Sequence, residues 1–218
     1  MEHTFAKLVG GRLCLDFVNT VQGRGRSAAR TRHDYVDRVV GDRLTSYDAL
    51  ADWSVLAGAL TAQEAASLAR HARARPAEAA AALRRSHKVR EAMYRVFKAV
   101  VEGWWPPPAD VDVLNREIRI ARSHESLVAA PRFEWKWDDT QPALDRVLWP
   151  VVRSAAELLT SADVGRVGQC QGEECGWLFL DTSRSGRRQW CDMSDCGTVA
   201  KVRRFRAKQR MVPNARRL

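Results

Sequence analysis

Apolar positions recur at helical spacing along most of the front of the chain. Leu50, Trp53, Ala57 and Leu60 share one face of a helix that starts near Ser46. Thr61 and Glu64 form a T-x-x-E capping box that opens the next helix. Pro76 suits a first helical position, where its missing N–H would have no partner anyway. Leu83, Arg90, Tyr94, Phe97, Val101 and Trp104 then recur at near-heptad spacing. The prolines at 106–108 stop that helix, and Asp110 can cap another that carries Val111, Leu114, Ile118 and Ala121 along one face. In RFEWKWD the period drops to two: Phe133, Trp135 and Trp137 alternate with Glu134 and Lys136, a half-buried strand, with SLVA before Pro131 as its hairpin partner. A last helix of this segment runs from about Pro142 with Leu144, Val147, Leu148, Val151, Ala155 and Leu158, bent at Pro150.

The glycines of DVGRVGQ then mark a hinge. The expected architecture is mainly α with a small β-hairpin: a helical domain over residues 1–163 and a small module over 164–218. The chain has 218 residues, 45% of them hydrophobic and 28% charged, which is ordinary for a soluble protein. No run approaches the roughly 18 apolar residues of a membrane span. The first 20 residues hold no apolar stretch of signal-peptide length, so the expected compartment is the cytoplasm, where thiols stay reduced and paired cysteines favour metal over disulfide.

Four of the five cysteines fall in that module as two C-x4-C pairs, Cys170 with Cys175 and Cys191 with Cys196, 15 residues apart. Short loops between paired ligands let a turn present two sulfurs to one ion, and four thiolates suit tetrahedral zinc. Such a shell leaves no open coordination position, so the expected zinc is single and structural. WLFLD reads as a strand, TSRSGR as its turn and RQW as the return. Knuckle, hairpin and helix together describe a treble-clef-like or ribbon-like fold. The bare tetrathiolate carries a formal charge of −2, which Arg187, Arg188 or Lys201 can offset.

Charge changes the picture further. Residues 166–218 hold 12 Lys/Arg against 5 Asp/Glu, whereas the first 165 hold 24 against 21. Concentrated positive charge beside a compact module points to a polyanion. In the closing helix GTVAKVRRFRAKQR, Thr198, Val202, Phe205, Gln209 and Val212 form a stripe suited to packing on Trp177 and Phe179. Arg203, Arg206 and Arg210 flank it on one side, and Lys201, Arg204 and Lys208 on the other. These six are the candidate nucleic-acid contacts.

The stretch from Cys170 to Gly197 followed by AKVRRFRAKQR resembles the CGNR zinc finger, and GGRLCLDFVNT at residues 10–20 resembles the opening signature of the ABATE domain that precedes it. The resemblance spans essentially the whole chain. It implies a bacterial stress-induced transcription regulator with a zinc-binding, DNA-binding C-terminus. One departure is clear: the Asn-Arg of the family's Cys-Gly-Asn-Arg is Thr198-Val199 here, so any contact made by that arginine shifts onto Lys201, Arg203, Arg204 and Arg206.

In the front domain Arg12, Asp16 and Asn19 are candidates to line a ligand pocket for a small-molecule effector, or else to cap a helix and hold a loop. Cys14 reads as a buried apolar thiol. GRGRSAARTRHDY reads as a mobile basic loop, and its adjacent His33 and Asp34 resemble a catalytic dyad only superficially, since adjacent residues rarely face each other. The eight tryptophans are expected mostly in the core. No nucleophile elbow, phosphate loop or HExxH motif is present. Three functions fit: a DNA-binding regulator that senses or dimerises through its helical domain, a small-molecule enzyme with a purely structural zinc finger, or an RNA- or protein-binding adaptor. The first is favoured, and no catalytic residue is assigned.

Overall fold

The computed structural model describes residues 7–25, 38–138 and 142–211. In chain order its elements are α1 (Leu13–Val18), β1 (Val21–Gly25), β2 (Arg38–Asp42), α2 (Tyr47–Leu56), α3 (Ala62–Ala74), α4 (Pro76–Glu102), α5 (Pro108–Ser123), β3 (Glu125–Val128), β4 (Glu134–Trp137), α6 (Leu148–Leu159), β5 (Val167–Gln169), β6 (Leu178–Leu180) and α7 (Thr198–Met211). Among the described residues the strands form three separate antiparallel pairs, β1–β2, β3–β4 and β5–β6. Helix dominates, as the periodicity predicts.

The 27 residues of α4 make a rod about 40 Å long against which α1, α2, α3 and α5 pack. Local chemistry sets the boundaries. Ser46 caps α2 by accepting from Ala49 N at 3.0 Å. Thr61 and Glu64 complete the expected capping box, with Thr61 N donating to the Glu64 carboxylate at 2.7 Å. Pro76 opens α4.

Several boundaries differ from the sequence reading. Gly103, in the left-handed region at φ 69°, ends α4 before the prolines are reached, and Pro108 instead opens α5. Asp110 is therefore not a cap but lies in the first turn of α5, where it binds the Arg95 guanidinium through both oxygens at 2.6 and 2.8 Å. Trp104 falls beyond α4, and Pro150 lies in the first turn of α6, where a missing N–H breaks no helical bond, so no bend is needed there. Residues 23–25 of the expected loop are strand β1; His33 and Asp34 lie outside the described residues.

The core gathers Phe17, Trp53, Tyr94, Phe97, Trp149 and Leu148 from four helices, each nearly fully buried. Burial of each such side chain contributes about 1.5–3 kcal/mol. Three of the eight tryptophans, Trp53, Trp149 and Trp177, are buried; Trp105 and Trp135 are exposed. Charge also enters the interior. Arg24 and Arg90 are almost wholly buried and share Glu91, Arg90 also holds Asp42 at 2.6 and 2.8 Å, and Arg24 stacks on the Tyr94 ring at 3.7 Å. Removing one member of such a buried pair costs about 3–5 kcal/mol.

No hinge separates the four-cysteine segment from this core. Gly165 lies in a short 3-10 helix, Ala162–Arg166, and Gly168 in β5. Val167, Leu178 and Leu180 of the β5–β6 pair belong to the same apolar core as α4 and α6.

Candidate metal centre

The two cysteine pairs come together from opposite ends of the C-terminal segment. Cys170 and Cys175 lie in the loop joining β5 to β6, so the strands flank the knuckle. The return strand expected at RQW is absent, because β6 pairs with β5 in register Val167↔Leu180 and Gln169↔Leu178. Residues 181–190 form a loop instead. Asp181 accepts from Ser183 N and Arg188 N at 2.8 Å each, closing its turn. Cys191 ends that loop, and Cys196 lies in a tight π-type turn, Met193–Gly197, that runs directly into α7.

A zinc ion about 2.3 Å from four tetrahedral sulfurs sets them about 3.8 Å apart. Here Cys191 Sγ is 3.6 Å from both Cys175 Sγ and Cys196 Sγ, and all four sulfurs lie within 4.8 Å of one another. Gly172 N points at Cys170 Sγ, 3.5 Å away, and a Cβ on Gly172 would sit 3.3 Å from Cys196 Sγ. The backbone thus wraps the sulfurs closely, as a knuckle must.

The four thiols also shift one another's protonation. Hydrogen bonds from Cys175 and Cys191 hold the Cys170 thiol far below its ordinary range. Hydrogen bonding to Cys170 pushes Cys175 and Cys191 up, and burial pushes Cys196 up. A bound dication favours the ionised form of all four. The residues fit one structural zinc, and with four thiolates in place no position is left for substrate.

The centre is tied to the front of the chain at every level. Arg24 N donates to Cys175 O at 2.8 Å and Trp177 Nε1 to Val21 O at 3.1 Å. Leu180 N donates to Gly10 O at 2.8 Å. Gly176, at φ 59°, lies so close to β1 that a Cβ there would be 2.5 Å from Arg24 O. A Cβ on Gly23 would meet Glu174 O at 2.2 Å. Neither close approach tolerates a side chain.

Arg188, considered as a charge partner for the zinc, acts as a clamp. Its guanidinium donates to the carbonyls of Trp190, Leu180, Val9 and Cys191, and it lies over the Phe179 ring at 4.3 Å. Arg187 and Lys201 are exposed.

Arg12, Asp16 and Asn19 do not converge on a ligand cavity. Arg12 pairs with Asp163 at 3.2 Å on the surface. Asp16 accepts from Gly10 N at 2.8 Å, and burial raises its pKa to about 6. Asn19 bonds the backbone of Leu178 on both sides. The space bordered by Asp16 and Asn19 is about 10 Å³, enough for one water, and Arg12 does not reach it. A cleft of about 770 Å³ lies beside the zinc centre instead. Lys7, Arg43, Trp177, Trp190 and Arg204 line it. No spacing rule brings Lys7 or Arg43 to the cysteines: Lys7 pairs with Asp192 at 3.3 Å, and Arg43 directly follows β2.

The α7 helix departs from expectation. The period of α7 predicts a packed stripe with Val202 and Phe205, yet they are 42% and 62% exposed, and Val199 is 53% exposed. The helix leaves the π-type turn and carries Lys201, Arg203, Arg204, Arg206 and Lys208 into solvent. Arg203 pairs with Glu173 on the knuckle. Arg210 ends the basic run at its last turn, and Val212 lies outside the described residues.

A zinc module of knuckle, ligand-bearing turn and helix, set on a helical domain, is the class that the fold defines. Two family models match the chain: ABATE, described as "Putative stress-induced transcription regulator", over residues 11–162, and the CGNR zinc finger over residues 166–209. The chain belongs to the ABATE family and carries a CGNR zinc finger. No curated protein matches it. No helix among the described residues is long and apolar enough to cross a membrane.

Proposed function

We propose that the protein is a cytoplasmic DNA-binding transcription regulator whose zinc centre fixes the root of α7 and presents that helix to the duplex. One observation carries the reading: α7 starts two residues after the last zinc ligand, holds six basic residues and no acid in its sequence, and exposes Lys201, Arg203, Arg204, Arg206 and Lys208 to solvent. A helix of this kind fits the major groove, its cationic flanks on phosphates and its uncovered Val202 and Phe205 free for sugar and thymine methyl contacts. Arg203 must leave Glu173 to reach a phosphate, so part of its Coulomb gain is offset. The regulator and zinc-finger character of the two families supports this reading over the enzyme and adaptor alternatives. Any effector role moves from Arg12, Asp16 and Asn19 to the cleft beside the zinc, where front domain and module meet. The test is binding of mixed genomic duplexes by wild type and by Arg203→Ala/Arg206→Ala at equal zinc content. The double variant loses most of its affinity if α7 is the contact; equal binding would move the interface elsewhere.

A further inference from the structure

Among the described residues, the β3–β4 hairpin is a two-stranded sheet with an uncovered strand edge and an uncovered apolar face. Trp137 packs on Trp149 at 5.8 Å, but beyond it Trp135 is 58%, Phe133 73% and Leu127 54% exposed. Leu127 and Trp135 are cross-strand partners, so the exposed apolar groups form one patch. Isolated two-stranded hairpins are marginal, and open edges recruit further strands.

The edge of β4 carries an unusual sequence. From Arg132 to Asp138 the residues read basic, apolar, acidic, Trp135, basic, apolar, acidic. About Trp135 this pattern is self-complementary. If β4 pairs antiparallel with a copy of itself across a two-fold axis at Trp135, Glu134 faces Lys136 of the second copy and Lys136 faces its Glu134. Phe133 faces Trp137 of the second copy, Trp135 meets itself, and Arg132 falls opposite Asp138. A one-residue shift of register would lose every one of these matches.

The backbone has the parity this requires. Asp138 N donates to His124 O at 2.7 Å, which makes 124/138, 126/136 and 128/134 the hydrogen-bonded pairs of the β3–β4 ladder. Trp135 and Trp137 therefore turn their N–H and C=O outward, to the free edge. A two-fold axis at Trp135 makes 135/135 and 133/137 hydrogen-bonded pairs, using those outward groups. It also makes 134/136 the non-hydrogen-bonded pair, whose side chains approach most closely. Glu134 and Lys136 are both exposed and have no ion-pair partner among the described residues.

We propose that two copies of this chain associate through β4, forming a four-stranded antiparallel sheet centred on Trp135 with reciprocal Glu134–Lys136 pairs. The interface lies within the segment matched by the ABATE model and uses no residue of α7, so it goes beyond the DNA-binding reading without depending on it. It sets the exposed Phe133 beside the second copy's Trp137 and joins the two apolar patches along one face of the sheet.

Sedimentation equilibrium of the zinc-loaded full chain tests it. Wild type should dimerise. Lys136→Glu sets glutamate against glutamate twice and should raise the dissociation constant by roughly thirtyfold. Glu134→Lys/Lys136→Glu restores opposite charges in reversed order and should recover dimerisation to within a few-fold of wild type. Both positions are exposed, and unchanged zinc content and helicity confirm that the variants fold. A wild type that stays monomeric, a dimer indifferent to Lys136→Glu, or a double variant as weak as the single would each overturn the proposal.

Discussion

The side-chain amide of Asn19 binds the main chain of Leu178 as a neighbouring strand would: Nδ2 donates to Leu178 O at 2.8 Å, and Leu178 N donates to Oδ1 at 2.9 Å. Asn19 ends α1 in the front domain, and Leu178 begins β6 three residues after a zinc ligand. Both groups are buried, with Asn19 only 6% exposed. The pair therefore joins the helical core to the metal centre without water between them.

Replacing Asn19 with Ala leaves a buried N–H and a buried C=O of Leu178 unpartnered. The expected loss is about 2–4 kcal/mol of folding stability. Asn19→Asp keeps the acceptor but puts carboxylate oxygen against Leu178 O, and should be no better. Urea denaturation of zinc-loaded protein measures both; a midpoint unchanged in Asn19→Ala would show that the pair holds nothing together.

Zinc removal should reach the helical core. Val167, Leu178 and Leu180 pack in the same cluster as α4 and α6, and Arg24 links the knuckle backbone to Glu91 and Tyr94. Structural zinc sites contribute on the order of 10 kcal/mol to folding. Chelation should therefore lower the thermal midpoint seen by helical circular dichroism together with that seen by tryptophan fluorescence. A helical transition unmoved by chelator would mean that the two parts fold independently.

Asp16 should make stability fall as the pH rises. Burial lifts its folded pKa from the ordinary 3.8 to about 6, so the native state binds its proton more tightly than the unfolded chain does. That contribution is complete below about pH 4 and is lost as the pH rises through 6, a change of about 2–3 kcal/mol. Asn keeps an acceptor for Gly10 N without the buried charge. The stability of Asp16→Asn relative to wild type should thus climb between pH 4 and pH 7, while thiol titrations common to both proteins cancel. A difference flat with pH would contradict the buried-carboxylate reading.

The fifth cysteine should be inert. Burial pushes the Cys14 thiol up to about 12, leaving almost no thiolate at neutral pH. Alkylation of the native zinc protein should spare all five cysteines, and only Cys170, Cys175, Cys191 and Cys196 should gain reactivity on chelation in proportion to the loss of zinc. Modification of Cys14 in the native state would show that α1 opens.

Much of this was legible in the sequence, for identifiable reasons. The Thr61–Glu64 box, the Ser46 start and the Pro76 start depend on neighbours within one turn, and each was readable. The four ligands follow from spacing alone. The β1–β2 pair was not readable: VQGRG and RVVGD carry glycine and buried arginine where apolar alternation would signal strands. The partner of β6 was misread because turn residues in TSRSGR mimic a hairpin, whereas Arg188 is spent on four carbonyls and draws the return segment into a loop. The stripe on α7 has the right period for a packed helix, but period cannot say whether a partner surface is within the chain or outside it.

The account rests most heavily on α7 as the DNA contact, and salt dependence tests that directly. Each phosphate neutralised adds about −0.9 to the slope of log affinity against log salt. The two flanks of α7 cannot all face one backbone, so about three to five of the six basic residues engage, for a slope between about −3 and −4.5. Fluorescence anisotropy on genomic duplexes over a salt series should give that slope for wild type. Arg203→Ala/Arg206→Ala should flatten it by about two units if both touch phosphates, and by less if one reads a base edge. The same slope and affinity in both proteins, with zinc retained, would contradict the account.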